Sequence, residues 1–279
     1  VARPEIPVTL SSSSIFSLPP QHVFAIAEDL GYDGVEIMVT QNRWTHDPTK
    51  LDELSQRHSM PIHSVHAPTF LFTQQVWGSA WNKVARAADM ARELGAEIVV
   101  AHPPFRWQGS YALDFADGIR DIMEATGVII AVENMYPWRV SGQEIKMYLP
   151  DHNPIPQDYD YVTWDFSHSA TAQMDSLAAL KLLGSRLAHV HLTDGSGTAA
   201  DEHLLPGYGH QRVTESLRYL AESDYDGVVC MEVSTRGQKY PGHREEMLAE
   251  ALAFARKYLA RNDDSSSLSQ DSRRSEGEL

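Results

Sequence analysis

The sequence predicts a single α/β domain, a (β/α)8 barrel over residues 1–260, on three observations. Eight short apolar, β-branched runs recur from one end of the chain to the other. Segments with a 3.6-residue apolar period lie between them, so a strand-plus-helix unit returns at intervals of roughly 25–40 residues. After the first run stands SSSSIFSLPP rather than a glycine-rich phosphate-binding turn, which disfavours an open doubly wound sheet. The chain has 279 residues, and one such barrel takes about 250.

The elements follow in order. Strand one is VTLSSS (8–13), and Pro19 and Pro20 open the first helix. Strands two and three are DGVEIMV (33–39) and PIHSVHA (61–67). The helix AWNKVARAADMARELG (80–95) is stopped by Gly95 just before strand four, EIVVAH (97–102). Strands five, six and seven are GVIIAVEN (127–134), YVTWDF (161–166) and LAHVHL (187–192). A helix over VTESLRYLAES (213–223) leads to strand eight, GVVCMEV (227–233), and a last helix covers about 243–260. The entries LGYDGVEI and SDYDGVVCMEV are alike, as reused turn chemistry and not as a repeat. The tail RNDDSSSLSQDSRRSEGEL (261–279) is polar and Ser-rich, and is expected to be disordered.

Composition bounds the function. The apolar share of 42% and the charged share of 22% are those of a soluble globular protein. Cys230 is the only cysteine, so no intramolecular disulfide can form, which fits a reducing compartment. VARPEIPVTL has no basic segment followed by an apolar run, and no stretch approaches the roughly 20 apolar residues of a membrane span. The expectation is a cytoplasmic protein with no membrane partner. The net charge of −15 disfavours a nucleic-acid partner, because that binding is driven by Lys and Arg on phosphates. The oligomeric state is left open.

In such barrels the chemistry gathers at the C-terminal ends of the strands. Strand three ends at His66 and strand four at His102. Strand five ends at Glu133. Strand six ends at Asp165, with His168 three residues on. Strand seven ends at His191, and its loop carries Asp201 and His203. Strand eight ends at Glu232. With a side-chain period of two, Glu133 tops a column above Ala131 and Ile129, and Glu232 one above Cys230 and Val228. Converging buried carboxylates repel one another and cost desolvation, and a divalent cation reverses both penalties. Carboxylate with imidazole suits a Zn- or Mn-type ion. His189 is read as a lower-layer core residue, and His22, His46, His58, His152, His210 and His243 as surface residues.

These strand ends resemble the xylose isomerase-like TIM barrels, a superfamily that holds sugar phosphate isomerases and epimerases together with endonuclease IV-like AP endonucleases. The resemblance runs from the first strand to about residue 260. By that resemblance Glu133, Asp165, His191 and Glu232 hold one divalent metal, as in the sugar epimerases. Asp165–His168 meets the DxxH motif, His191–Asp194 meets HLxD, and DEHLLPGYG (201–209) looks like the loop that closes with a PGxG turn. The resemblance to endonuclease IV adds His66, His102, His168, Asp201 and His203 as further ligands of three zinc ions. Thr69 follows HAP where that branch carries a tyrosine, and no basic stripe is evident.

The cofactor expected is a divalent metal (Zn, Mn or Co; one to three ions), and the partner a small sugar-like substrate. The resemblance implies an isomerase or epimerase working through an enediolate on a sugar, a sugar phosphate or a hydroxy-carbonyl acid. Glu133 and Glu232 are its expected acid/base pair, with His168 on the reacting hydroxyl. Arg106 and Arg139, in the loops after strands four and five, are candidate binders of a phosphate or carboxylate. Trp107 and Trp138, with Phe105 and Tyr136, are candidate shields over the site. The alternative is a zinc phosphodiesterase acting on abasic DNA, with Glu133 bridging the ions.

Overall fold

Each of the eight predicted runs holds one strand, the seventh with the predicted bounds and the others trimmed at one or both ends. The computed structural model describes residues 5–69, 73, 75–140 and 143–260. The strands are β1 (Val8–Ser11), β2 (Gly34–Met38), β3 (Ile62–His66), β4 (Ile98–Ala101), β5 (Ile129–Glu133), β6 (Tyr161–Asp165), β7 (Leu187–Leu192) and β8 (Val228–Met231). All neighbours pair in parallel, and β8 closes against β1 through Thr9 opposite Cys230. Closure leaves the barrel no open edge.

The helices form the outer ring for local reasons. Ala80–Leu94 is capped by Ser79, whose side chain accepts the Asn82 N–H, and it ends at Gly95 with φ 71°. Its residues Val84, Ala87, Ala88 and Ala91 recur at helical spacing and are buried on the sheet. His22–Leu30 begins just after Pro19 and Pro20, where the His22 N–H donates to the Pro19 carbonyl. His243–Leu259 is the last helix. The predicted tail 261–279 lies outside the described residues. Among the described residues no helix is long and apolar enough to cross a membrane.

One connection departs from the expected repeat. Between β5 and β6 the described residues contain no helix. They form an antiparallel hairpin, Trp138–Val140 against Gln143–Ile145. Pro137, Pro150, Pro154 and Pro156 each remove a backbone N–H from this connection, which disfavours a continuous helix through it.

The barrel interior changes character along its axis. Its N-terminal end is apolar, with Ile98, Ala131 and Val228 packed together and Ile129 and Tyr161 against them. Higher up it turns polar and stays buried: first Glu36, Ser64 and His189, then Glu133, Asp165, His191 and Glu232. Polar side chains at this depth must find partners inside the protein.

Candidate metal centre

The strand ends bring all nine predicted ligand residues into one continuous cluster. At its centre the His191 Nδ1 lies 2.8 Å from Glu133 Oε1, 3.0 Å from Glu232 Oε2 and 3.8 Å from Asp165 Oδ2. One ligand atom from each of these four buried residues falls within 4.8 Å of the others, a spacing a single ion can bridge. Two further groups flank the centre and share its carboxylates: His66 and His102 with Glu133, and His168 and His203 with Asp165. Asp201 completes the second, 3.3 Å from His168 Nε2 and 3.0 Å from His203 Nε2.

Backbone carbonyls set the tautomers. His66 Nδ1–H donates to Ala67, His168 Nδ1–H to Asn134 and His203 Nδ1–H to Glu232, at 2.8–2.9 Å. Each Nε2 therefore turns its lone pair toward a carboxylate oxygen, acceptor against acceptor. Glu133 Oε2 sits 2.9 Å from His102 Nε2 and 3.4 Å from His66 Nε2, yet it receives no hydrogen bond. Asp165 Oδ2 is buried and equally without a donor. Only a cation, proton or metal, reconciles such an arrangement, so the residues present fit a divalent ion.

The electrostatics agree. Burial pushes the Glu133 carboxyl up, but His191 and His168 outweigh it and hold the group well below its ordinary range. Burial depresses His203, but Asp201 outweighs that and raises the ring to about 10. His168 and His191 are raised well above their ordinary value in the same way, against burial, by Asp165 and Asp201 and by Glu232 and Glu36. For Asp165 burial wins, and its carboxyl rises to about 6. Without a metal these imidazoles thus carry protons at neutral pH, and a metal must displace them. Loading with Mn²⁺ or Zn²⁺ is expected to release protons, and affinity to rise with pH. Calorimetry in buffers of different ionisation enthalpy checks this; a heat independent of the buffer would contradict it.

Sequence reasoning missed the layer beneath. Glu36, in the middle of β2, is fully buried and accepts on both oxygens. Ser11 Oγ and His191 Nε2 donate to Oε1 at 3.2 and 3.1 Å, and Ser64 Oγ donates to Oε2 at 2.8 Å; His189 Nε2 bonds Ser64 Oγ and lies 3.3 Å from Oε2. By taking the Nε2–H of His191, Glu36 leaves Nδ1 as the ligand atom facing Glu133 and Glu232. Cys230 also lies in this layer, where burial pushes its thiol well above the ordinary range. With Glu36 bonded by Ser11, Ser64 and His191, this lower layer forms a hydrogen-bonded platform beneath the ligands. The signal for Glu36 was present: an acid at an inward position between Val35 and Ile37. Asn134 was missed too. Its side chain accepts the Asp165 N–H at 2.6 Å and donates to the Asp165 carbonyl at 3.0 Å, locking β5 to β6 beside the ligands.

The loop after β7 is organised by Asp194. Its Oδ1 accepts from the N–H groups of Gly195 and Gln211, and its Oδ2 from those of Gly207 and Gly209, at 2.8–3.1 Å. Gly209 is obligatory, because a Cβ there would lie 2.4 Å from the Gly195 carbonyl oxygen. Ser167 Oγ then donates to Asp201 and accepts the His203 N–H, which fixes the ligand end of the loop. Asp194→Ala is expected to cost about 2–3 kcal/mol, since it strands several buried N–H groups. Urea denaturation measures this; an unchanged midpoint would show that the loop holds itself.

The predicted substrate-binding residues are placed unevenly. Arg139 is in the hairpin, where its guanidinium pairs with Glu144 at 3.2 Å. Trp138 packs on Phe105, Met135 and Tyr148 in a small apolar cluster beside the mouth. Trp107 stacks on Phe105 at 4.5 Å and is 58% exposed. Arg106 is exposed and is tied to Met147 through its backbone N–H. Tyr136, one of the predicted shields, leans over the His168 ring at 5.1 Å.

Comparison with known proteins agrees with this architecture. The sequence pattern of the xylose isomerase-like TIM barrels matches residues 24–258. An uncharacterised protein of Mycobacterium leprae, ML2432, is 42% identical over 279 residues, covering 93% of this chain and all of that protein. Fructoselysine 3-epimerase of Escherichia coli O157:H7 is 25% identical over 254 residues, which cover 80% of this chain and 89% of the epimerase. The crystal structure of a D-tagatose 3-epimerase-like protein superposes with a TM-score of 0.66 at 26% identity, over 91% of this chain and 100% of that one. An AP endonuclease, family 2, from Brucella melitensis shares the fold at a TM-score of 0.65 and 18% identity, over 88% and 97% of the two chains. The chain belongs to the xylose isomerase-like TIM-barrel family.

Proposed function

We propose that this protein is a divalent-metal-dependent isomerase or epimerase acting on a small sugar, sugar phosphate or hydroxy-carbonyl acid. The observation that carries the reading is the placement of two buried carboxylates, Glu133 and Glu232, on either side of His191 Nδ1 at 2.8 and 3.0 Å. The likeness to fructoselysine 3-epimerase and to the D-tagatose 3-epimerase-like protein supports it. A divalent ion held by Glu133, Asp165, His191 and Glu232 would polarise a carbonyl and stabilise negative charge developing beside it. Glu133 and Glu232 then take and return the proton on the carbon next to the carbonyl, one from each face. Ser13 donates to Glu232 Oε1 at 2.8 Å and holds that carboxylate in place. His168, whose Nε2 lies 3.3 Å from Asp201, binds the reacting hydroxyl, and His66 and His203 are at hand for other hydroxyls.

A second reading, a zinc phosphodiesterase acting on abasic DNA, is favoured by the two flanking ligand groups, which could each hold an ion of their own. The net charge of −15 weighs against it. Elemental analysis beside activity separates the two. A single ion per chain, with EDTA-sensitive appearance of an isomer or epimer from a panel of ketoses and hydroxy-carbonyl acids, supports the isomerase. Three zinc ions with cleavage of abasic DNA and no isomer would move the assignment to the phosphodiesterase.

A further inference from the structure

A cavity of about 480 Å³ opens beside the metal centre, between the ends of β1 and β2 and the loop after β8. Ser13 forms part of its wall and also bonds Glu232, so the cavity begins one hydrogen bond from the proposed acid/base pair. In a chain of net charge −15, its lining includes one cation, Arg236, and no carboxylate.

Ser13 spends its hydroxyl hydrogen on Glu232, while Ser12, Thr40 and Asn42 are committed as acceptors to neighbouring donors. Ser12 Oγ accepts the Met38 N–H at 2.8 Å, and Thr40 Oγ1 the Asn42 N–H at 3.2 Å. Asn42 Oδ1 accepts the Trp44 N–H at 3.0 Å, which orients the amide and leaves its NH₂ as donor. What these groups can still offer a ligand is hydroxyl and amide hydrogen. Arg236 lies over the Phe16 ring with its guanidinium carbon 4.3 Å from the centroid. Stacking fixes the plane of the guanidinium and leaves its edge N–H groups outward. Among the described residues Arg236 has no ion-pair partner. Phe16 is 57% exposed, and the face of its ring carries the Arg236 guanidinium. A donor-lined cavity with one preorganised guanidinium suits a planar or tetrahedral oxyanion.

We propose that this cavity seats an anionic group of the substrate, a carboxylate or a phosphate monoester, with Arg236 as its principal contact and the reacting carbon over the metal centre. The substrate class then narrows to hydroxy-carbonyl compounds that carry a negative charge remote from the reacting carbon. The identity of that reacting part rests on the isomerase reading.

The probes are inorganic phosphate and acetate, titrated into the metal-loaded protein at constant ionic strength in chloride. At least one is expected to bind, and Arg236→Gln to weaken it about 10- to 100-fold, as for loss of a charged hydrogen-bonding pair. Asn42→Asp keeps the acceptor for Trp44 while adding negative charge, and is expected to weaken the same anion. Arg92→Gln, a charge change on an outer helix, serves as the control and leaves binding as it is. Binding of phosphate alone identifies a phosphate monoester, and of acetate alone a carboxylate. Failure of both to bind, or binding indifferent to Arg236, overturns the proposal. The two inferences fail separately. Arg236-dependent anion binding in a protein that isomerises nothing keeps the cavity's role and removes the isomerase reading; isomerisation with Arg236-indifferent binding does the reverse.

Discussion

Glu133→Gln is expected to lower turnover by at least about 10²–10⁴-fold, the range for loss of a general acid or base, while the barrel still folds. Glu133 is the common member of the central set and of the His66–His102 group. Its Oε1 lies 2.8 Å from His191 and 3.5 Å from His168, and its Oε2 lies 2.9 Å from His102. The amide keeps the shape but removes the charge and turns an NH₂ toward one of these rings. Metal retention should fall together with activity. The fold should survive because the strand is held by its parallel ladder and by Ile130 and Val132 in the core. Near wild-type turnover in a folded, metal-loaded variant would exclude Glu133 as base and as ligand.

Glu36→Gln is expected to act one layer lower with a different signature. Three donors, Ser11, Ser64 and His191, bond the two carboxylate oxygens between them, so an amide NH₂ must face at least one of them. The resulting donor–donor clash should cost about 1–3 kcal/mol of stability, read by urea denaturation. His191 would also lose the acceptor that fixes its tautomer. Metal affinity should fall about 10- to 100-fold, measured by competition with a chromophoric chelator. A stability loss with unchanged affinity would show that Glu36 supports the barrel but does not orient the ligand.

The difference between these two glutamates shows what the sequence could express. Glu133 closes an apolar strand above Ala131 and Ile129, and the ends of the neighbouring runs repeat the pattern, so period two and chain order were enough. Glu36 sits mid-strand in GVEIM, with no second ligand-type residue beside it in sequence. Its partners Ser11, Ser64, His189 and His191 come from three other strands, and only barrel closure brings them together. Asp194 was legible as part of HLTD, but its grip on four backbone N–H groups depends on the loop returning through Gly207 and Gly209. Arg139 was legible only as a cation in a mouth loop. The hairpin that hands it to Glu144 replaces a helix the repeat had led one to expect, and proline positions alone do not reveal register. Arg236 and Phe16 are far apart in the chain, and only the closed barrel brings them to one cavity.

The most direct test of the central claim is proton exchange at the substrate carbon. The metal-loaded protein would be incubated in D₂O with a panel of ketoses, their phosphates and the corresponding hydroxy acids, and followed by proton NMR. Proton removal beside a carbonyl predicts deuterium at that carbon of at least one compound, together with its isomer or epimer, and loss of both signals with EDTA and in Glu133→Gln. No deuterium in any member of the panel, while the same preparation cleaves abasic DNA, would contradict the isomerase account.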